Sequence, residues 1–179
     1  MNELPTLEYL KECFEYFPDS GKLVWSHRPE NHFVSSREHK RYCSTRLGKE
    51  AGRIRFDGYL ELRLDYVYYG VHRIVYKLMT GEEPENFIDH INGDKSDNRW
   101  DNLREATSTQ NNHNRKISKN NTTGYKGVSW NSHFGKYKSS IRVGEGRRIF
   151  LGYFDSLEEA KDSYNKAADQ HHKEYKNYG

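Results

Sequence analysis

Apolar residues come in short bursts along this chain, and their spacing changes several times. At positions 4, 7, 10, 13, 14 and 17 the spacing is helical, which predicts a helix from Leu4 to Phe17 closed by the turn chemistry of Pro18-Asp19-Ser20-Gly21. Gly21-Lys22-Leu23-Val24-Trp25 then reads as a short strand. Residues 26–50 are polar and have no period, so a long loop is expected there. From Gly52 to Tyr69 apolar and polar residues alternate, and Asp57-Gly58 between the alternating runs is a hairpin signal. Apolar positions 71, 74, 75, 78 and 79 form one helical face, stopped by Thr80-Gly81.

Residues 88–115 interrupt this rhythm and read as strand, loop, strand, helix, the helix opening on the capping-box pattern Thr107-Ser108-Thr109-Gln110. That helix is expected to run to about Lys119, with the breaker-rich stretch 120–124 as a linker. Beyond it, Tyr125–Trp130, Lys136–Val143 and Arg147–Phe154 read as three strands joined by glycine-containing turns. Asp155-Ser156 then caps a helix whose stripe is Leu157, Ala160, Tyr164, Ala167, Ala168 and His171. Alternation puts Lys136, Lys138, Ser140 and Arg142 on one face of the middle strand and Tyr137, Ser139, Ile141 and Val143 on the other.

Composition narrows the choice of architecture. Of 179 residues only 34% are hydrophobic, and the mean hydropathy is -1.12, so two or three thin cores are expected rather than one large one. Fourteen tyrosines and three tryptophans supply much of the packing surface. Cys13 and Cys43 are far apart and form no CxxC pair, which points to free structural thiols in a reducing compartment. No apolar run is long enough for a membrane span or a secretory signal, so a soluble cytoplasmic protein is expected. His27, His32 and His39 read as solvent-facing groups, since no carboxylate lies at ligand spacing from them, and His171-His172 as surface helix. The net charge of +3 hides a division: residues 1–110 carry 16 basic against 19 acidic side chains, 111–154 carry 9 against 1, and 155–179 carry 4 against 6. A basic block of that purity, interleaved with aromatics, is the footprint of contact with a phosphate backbone.

The chemistry is concentrated between Ile88 and Arg115. Asp89-His90 sets a hard oxygen donor beside a ring that takes up a proton near neutral pH, and a loop rich in Asn, Asp and Gly follows. In order and spacing, Val71-His72-Arg73, Asp89-His90, Asn92-Gly93-Asp94-Lys95, Asp97-Asn98-Arg99, Asn102-Leu103-Arg104 and Asn111 resemble the core of HNH endonucleases, the ββα-metal nucleases that include phage homing enzymes. The resemblance implies that Asp89 and Asn111 bind one divalent metal, that His90 is the general base, and that Asn102 pins the loop aiming it. Asn111 replaces the histidine that ends the family's name, which shifts the ligand set towards oxygen. Oxygen donors suit Mg²⁺, with Mn²⁺ as a substitute, whereas zinc would want more His or Cys. His72 is either a packed structural histidine or a neighbour of the site, and Arg73 reaches either a DNA phosphate or the Glu82-Glu83-Glu85 cluster.

The last 55 residues, by Tyr125-x-Gly127-Val128, Gly135-Lys136-Tyr137, Ile141-Arg142, Leu151-Gly152-x-Phe154-Asp155, Glu158-Glu159-Ala160, Tyr164 and Ala167-Ala168, resemble the DNA-binding domain of plant ethylene-response factors. That likeness implies a three-stranded sheet lying in the major groove. Several Arg and both Trp of the plant pattern are missing here, so its target sequence does not carry over. The expected fold class is therefore α+β: an N-terminal HNH ββα-metal nuclease domain over residues 1–119, with its core at about 52–119, then a small three-stranded antiparallel sheet packed on one helix over 125–179. The expected function is metal-dependent cleavage of double-stranded DNA in a bacterial or phage-infected cell. His90 and Asn102 are the expected catalytic residues, and Arg73, Arg115, Lys126, Lys136, Lys138, Arg142 and Arg148 the expected DNA contacts. A DNA-binding regulator with an inactive nuclease core is the alternative.

Overall fold

The structure, a computed structural model, describes residues 3–115, 117–118 and 120–176, the side chain of Glu145 excepted. It divides into two units, Met1–Glu105 and Ala106–Gly179, a break that falls ahead of the 120–124 linker expected from sequence.

In the first unit, α1 (Leu7–Cys13) is capped by Thr6 and stops well short of Phe17. The chain turns extended at Phe14, and β1 (Phe14–Phe17) pairs antiparallel with β2 (Lys22–Trp25), Phe14 opposite Trp25. Aromatic residues that fit a pleated surface here override a helical spacing. Residues 26–50 are not a plain loop, because they contain α2 (Ser36–Thr45), capped by the Ser35 hydroxyl accepting from the Glu38 amide. Only Tyr42 of that helix is buried, so no apolar period announced it. The segment is held instead by Arg28, which is 3% exposed, pairs with Asp65 at 2.8 Å and lies over the Phe33 ring at 4.7 Å. His32 does not face solvent: it packs on Tyr9 and lies 2.7 Å from Glu12.

The expected hairpin is present as β3 (Arg53–Ile54) against β4 (Leu60–Leu64), and the sheet gains a further strand, β5 (Val67–Gly70). The turn into β5 uses Asp65 and Tyr66 at positive φ without a glycine, which gave no sequence signal. Then α3 (Val71–Thr80) runs to the left-handed cap Gly81, burying Val71, Ile74 and Val75 in a core with Leu10, Cys13, Leu23 and Leu64. β6 (Phe87–His90) pairs with β7 (Leu103–Ala106), which carries the chain into the second unit.

In the second unit, α4 (Ser108–Asn114) opens on the Thr107/Gln110 capping box and ends at Asn114; Lys119, where it was expected to end, lies outside the described residues. β8 (Val128–Asn131), β9 (Lys136–Val143) and β10 (Arg147–Phe154) form an antiparallel sheet in the order β10-β9-β8. Across it lies α5 (Leu157–His171), capped by the Ser156/Glu159 box, with Ala160, Tyr164, Ala167 and Ala168 buried on Val128, Ile141 and Val143. Gly127 is required by this packing, since a Cβ there would collide with the Ser140 carbonyl and the Tyr164 ring. Burial alternates along β9, with Ser139, Ile141 and Val143 inside and Arg142 outside. His172 is a correction to the surface reading: it is 5% exposed, stacked 3.7 Å from His113 and bonded through Nε2 to the Arg142 carbonyl at 2.8 Å. Among the described residues no helix is long and apolar enough to cross a membrane.

Candidate active site

Asp89 and His90 are the last two residues of β6, and both are buried. Neighbours on a strand point to opposite faces, and the two side chains do find different partners. Asp89 Oδ2 accepts from Arg104 Nε at 3.0 Å and Nη2 at 2.9 Å, an ion pair made across the β6-β7 pair. The His90 ring sits instead among Asn98, His72 and Tyr59, with Nε2 3.2 Å from Asn98 Oδ1 and ring centroids at 5.5 and 5.7 Å.

Asn98 is itself fixed. Its Nδ2 donates to the Ser96 carbonyl at 3.3 Å, so Oδ1 faces His90 as an acceptor and the neutral ring carries its hydrogen on Nε2. The lone pair that would take a proton is then on Nδ1. Burial, partly offset by the Asn98 bond and by Asp89, lowers the His90 pKa, which keeps the ring neutral at physiological pH.

The loop after β6 is closed by Asn102, as the resemblance implies. Its Oδ1 accepts from the Asn92 amide at 2.9 Å and its Nδ2 donates to the Asp97 carbonyl at 2.7 Å, which ties both ends of the loop to one side chain. Asn92 Nδ2 also donates to Asp97 at 2.8 Å, and Arg99 grips the same carboxylate, holding its pKa down to about 2. From the other side the N-terminal hairpin supports this loop. Tyr16 donates to the Asn98 carbonyl at 2.7 Å, the Trp100 amide donates to Pro18, and Gly21 approaches so closely that any Cβ would strike the backbone of Asn98 and Arg99. The residues before β2 therefore help set the position of Asn98, and through it His90.

His72 belongs beside this site. Its ring meets His90 edge-on and lies tilted against Tyr59, its Nδ1 is buried without a hydrogen-bond partner, and burial, reinforced by His90, lowers its pKa to about 3. Gly70 leaves it room, since a Cβ there would touch the ring. Sequence reasoning assigned no role to Asn98 or Arg104, although both lie in the runs it singled out; their roles depend on partners from other segments.

Of the remaining expected residues, Asn111 lies on α4 in the second unit, partly buried. Its side chain and that of Asp89 are both oxygen donors, chemistry that fits Mg²⁺ or Mn²⁺ better than a thiol-seeking metal. Arg73 takes the second of its two alternatives, pairing with Glu83, which Lys77 also contacts. Arg115 is exposed and lies 3.4 Å from Asn112 Oδ1. Lys126 is a correction: it is partly buried, its ammonium donates to the His113 carbonyl at 3.2 Å, and burial lowers its pKa to about 8, so it is packed rather than displayed. Lys136 pairs with the exposed Asp155 at 3.0 Å. Register sets Arg142 opposite Arg148 and Lys138 opposite both Ser129 and Tyr153, so these side chains share the sheet face away from α5. On that face Phe134, Tyr153 and Phe150 form a row with centroids 4.8 and 5.1 Å apart, and Lys138 lies 5.9 Å over Phe150. Phe134 and Phe150 are each 54% exposed, an apolar patch that adds little to the folding energy.

Comparison with known proteins agrees with the local pattern. A profile of the HNH endonuclease family matches residues 69–113, from the end of β5 to α4. Protein 3.8 of Escherichia phage T7 is 34% identical over 88 residues, which is 49% of this chain and 72% of that protein. The solved structure described as "DNA binding and cleavage by the HNH homing endonuclease I-HmuI" aligns with 94% of this chain and 88% of its own, at 18% identity and a TM-score of 0.42.

Proposed function

We propose, for a chain that belongs to the family of phage T7 protein 3.8 and carries an HNH endonuclease domain at residues 69–113, a metal-dependent hydrolysis of phosphodiester bonds in double-stranded DNA. The observation that carries this reading is the buried, neutral His90 held by Asn98 within the matched segment and directly beside Asp89. His90 Nδ1 takes the proton of an attacking water as the water oxygen bonds to phosphorus and the P–O3′ bond breaks, leaving a 5′-phosphate and, once solvent protonates the departing oxygen, a 3′-hydroxyl. A divalent metal held by Asp89 would supply counter-charge for the crowded phosphorus and for the departing oxygen. Asn102 and Asn98 do no chemistry themselves; they fix the loop and the tautomer. Arg104 orients the Asp89 carboxylate and compensates its charge before metal enters.

We assign the DNA-positioning role to the outer face of the C-terminal sheet, with Lys136, Lys138, Arg142 and Arg148 as cations, Phe134, Tyr153 and Phe150 as stacking surfaces, and Arg115 as a further phosphate contact. The functional division follows as nuclease over 1–119, linker at 120–124 and DNA-binding module over 125–179. The likeness of that module to ethylene-response-factor domains supports a sheet in the major groove, which suits B-form DNA better than A-form RNA. One observation favours the alternative of a DNA-binding regulator with a silent core: Arg104 already neutralises Asp89. Incubating supercoiled plasmid with the purified chain separates the two. Nicked or linear product with Mg²⁺ or Mn²⁺ and none with chelator is expected of the nuclease, whereas retarded but intact plasmid at every metal concentration identifies the regulator.

A further inference from the structure

A second group of ligand-bearing side chains lies in the first unit and takes no part in the chemistry above. His27, in the segment after β2, and His39 and Cys43, one turn apart on α2, bring three ligand atoms to within 4.8 Å of one another. His39 Nε2 lies 3.4 Å from Cys43 Sγ and 3.1 Å from the Arg28 carbonyl oxygen, while the His27 and His39 rings meet edge to face with centroids 5.8 Å apart.

The spacing is that of a zinc coordination sphere. With Zn–S of about 2.3 Å and Zn–N of about 2.05 Å at the tetrahedral angle, a sulfur and a nitrogen ligand stand roughly 3.6 Å apart. The His39–Cys43 separation already meets this, and the 4.8 Å limit on the set leaves a closure of little more than an ångström to rotation of the side chains. Two ligands at i and i+4 share one helix face, so α2 presents them without any change of backbone. A thiolate with two imidazoles selects a borderline-soft ion such as Zn²⁺ over Mg²⁺, the opposite preference to the Asp89 site. The ordinary alternative is a polar surface contact. It does not explain why a partly buried thiol, two imidazoles and a carbonyl oxygen converge from two segments with no carboxylate among the three side chains.

We propose that His27, His39 and Cys43 bind one Zn²⁺, with an oxygen donor, water or the Arg28 carbonyl, in the fourth position. The thiol loses its proton on binding, and His39 Nε2 exchanges its contacts to Arg28 and Cys43 for the metal. The ion then ties α2 to the segment leaving β2. This gives a purpose to a helix that buries only Tyr42. The inference is independent of the nuclease reading.

Cobalt titration of the full-length protein tests it, because Co²⁺ takes the same ligands and reports a thiolate ligand by a charge-transfer band. One equivalent should produce that band together with the visible bands of a tetrahedral site, and Zn²⁺ should remove both. Cys43→Ser should abolish the charge-transfer band, and the exposed His27→Ala should weaken Co²⁺ binding by at least about tenfold. Cys13→Ala should leave the thiolate band and its titration unchanged. In a thermal melt, Zn²⁺ should stabilise the wild type and not Cys43→Ser. No thiolate band in the wild type, a band that survives Cys43→Ser, or binding indifferent to His27→Ala would each overturn the site.

Discussion

The two units dispose of their polar side chains in opposite ways. The first buries Asp89, His90, Asn98 and Asn102 together, each joined to backbone or to another of the chain's side chains. The second leaves Arg142, Arg148, Phe134 and Phe150 exposed on a sheet whose own stability comes from the other face, against α5. A buried polar network is held in one geometry, and loss of a member leaves its partner unsatisfied, at about 1–3 kcal/mol. An exposed cationic face tolerates substitution in the fold and loses only what it binds. Reaction geometry needs the first arrangement and tracking of a repetitive backbone needs the second.

Substitutions should separate the two regions by what they damage. A large effect is expected from Asp89→Asn, which keeps shape and removes charge: cleavage should fall by about 10²–10³ and the divalent-metal titration should move to higher concentration, with duplex binding retained. An unchanged metal titration would remove Asp89 from the ligand set. Next comes Asn98→Ala, which should slow cleavage by about tenfold or more and destabilise the fold by about 1–3 kcal/mol. Because the Asn98 bond raises the His90 pKa, its loss should also move the acid limb of the pH–rate profile to lower pH. A limb that stays in place would make Asn98 a merely structural residue.

A smaller effect, on stability alone, comes from His72. Its folded pKa is lowered to about 3 by burial, while in the unfolded chain it titrates near 6.5. Between these values the unfolded state binds more protons, so stability should decline as pH falls from about 6.5 towards 3 and be insensitive to this group above that window. His72→Asn should flatten that slope in denaturant melts; an equally steep slope would place the titrating group elsewhere. The mildest change is expected from the double substitution of Arg142 and Arg148 by alanine. The melting temperature should hold, while the slope of log affinity against log salt drops by about two. A preserved slope would show that another surface meets the DNA.

The features legible in the sequence are the ones fixed locally. The capping box at Thr107/Gln110 and the cap at Ser156 formed as read, because the partners lie within one turn. The two faces of β9 followed from alternation alone. The order and spacing of the run from Asp89 to Asn102 carried the resemblance, and that run lies inside the segment 69–113 that the family profile matches. What escaped was decided by distant partners. Phe14–Phe17 became a strand because residues 22–25 were there to pair with it. α2 formed around an arginine, Arg28, and a cap rather than an apolar stripe. Asn98 acquired its role from a hairpin eighty residues earlier, through Tyr16. Lys126, expected as a DNA contact, has its ammonium on the His113 carbonyl.

The claim on which the rest stands is that His90 moves a proton in the reaction and holds nothing else together. Cleavage and binding should therefore be measured in parallel on one duplex with wild type and His90→Ala at saturating Mg²⁺. A loss of cleavage of about 10²–10⁴ with affinity for the duplex unchanged is the expected result. Cleavage at the wild-type rate would contradict it outright, and a proportional loss of cleavage and binding would mean that the ring serves the fold.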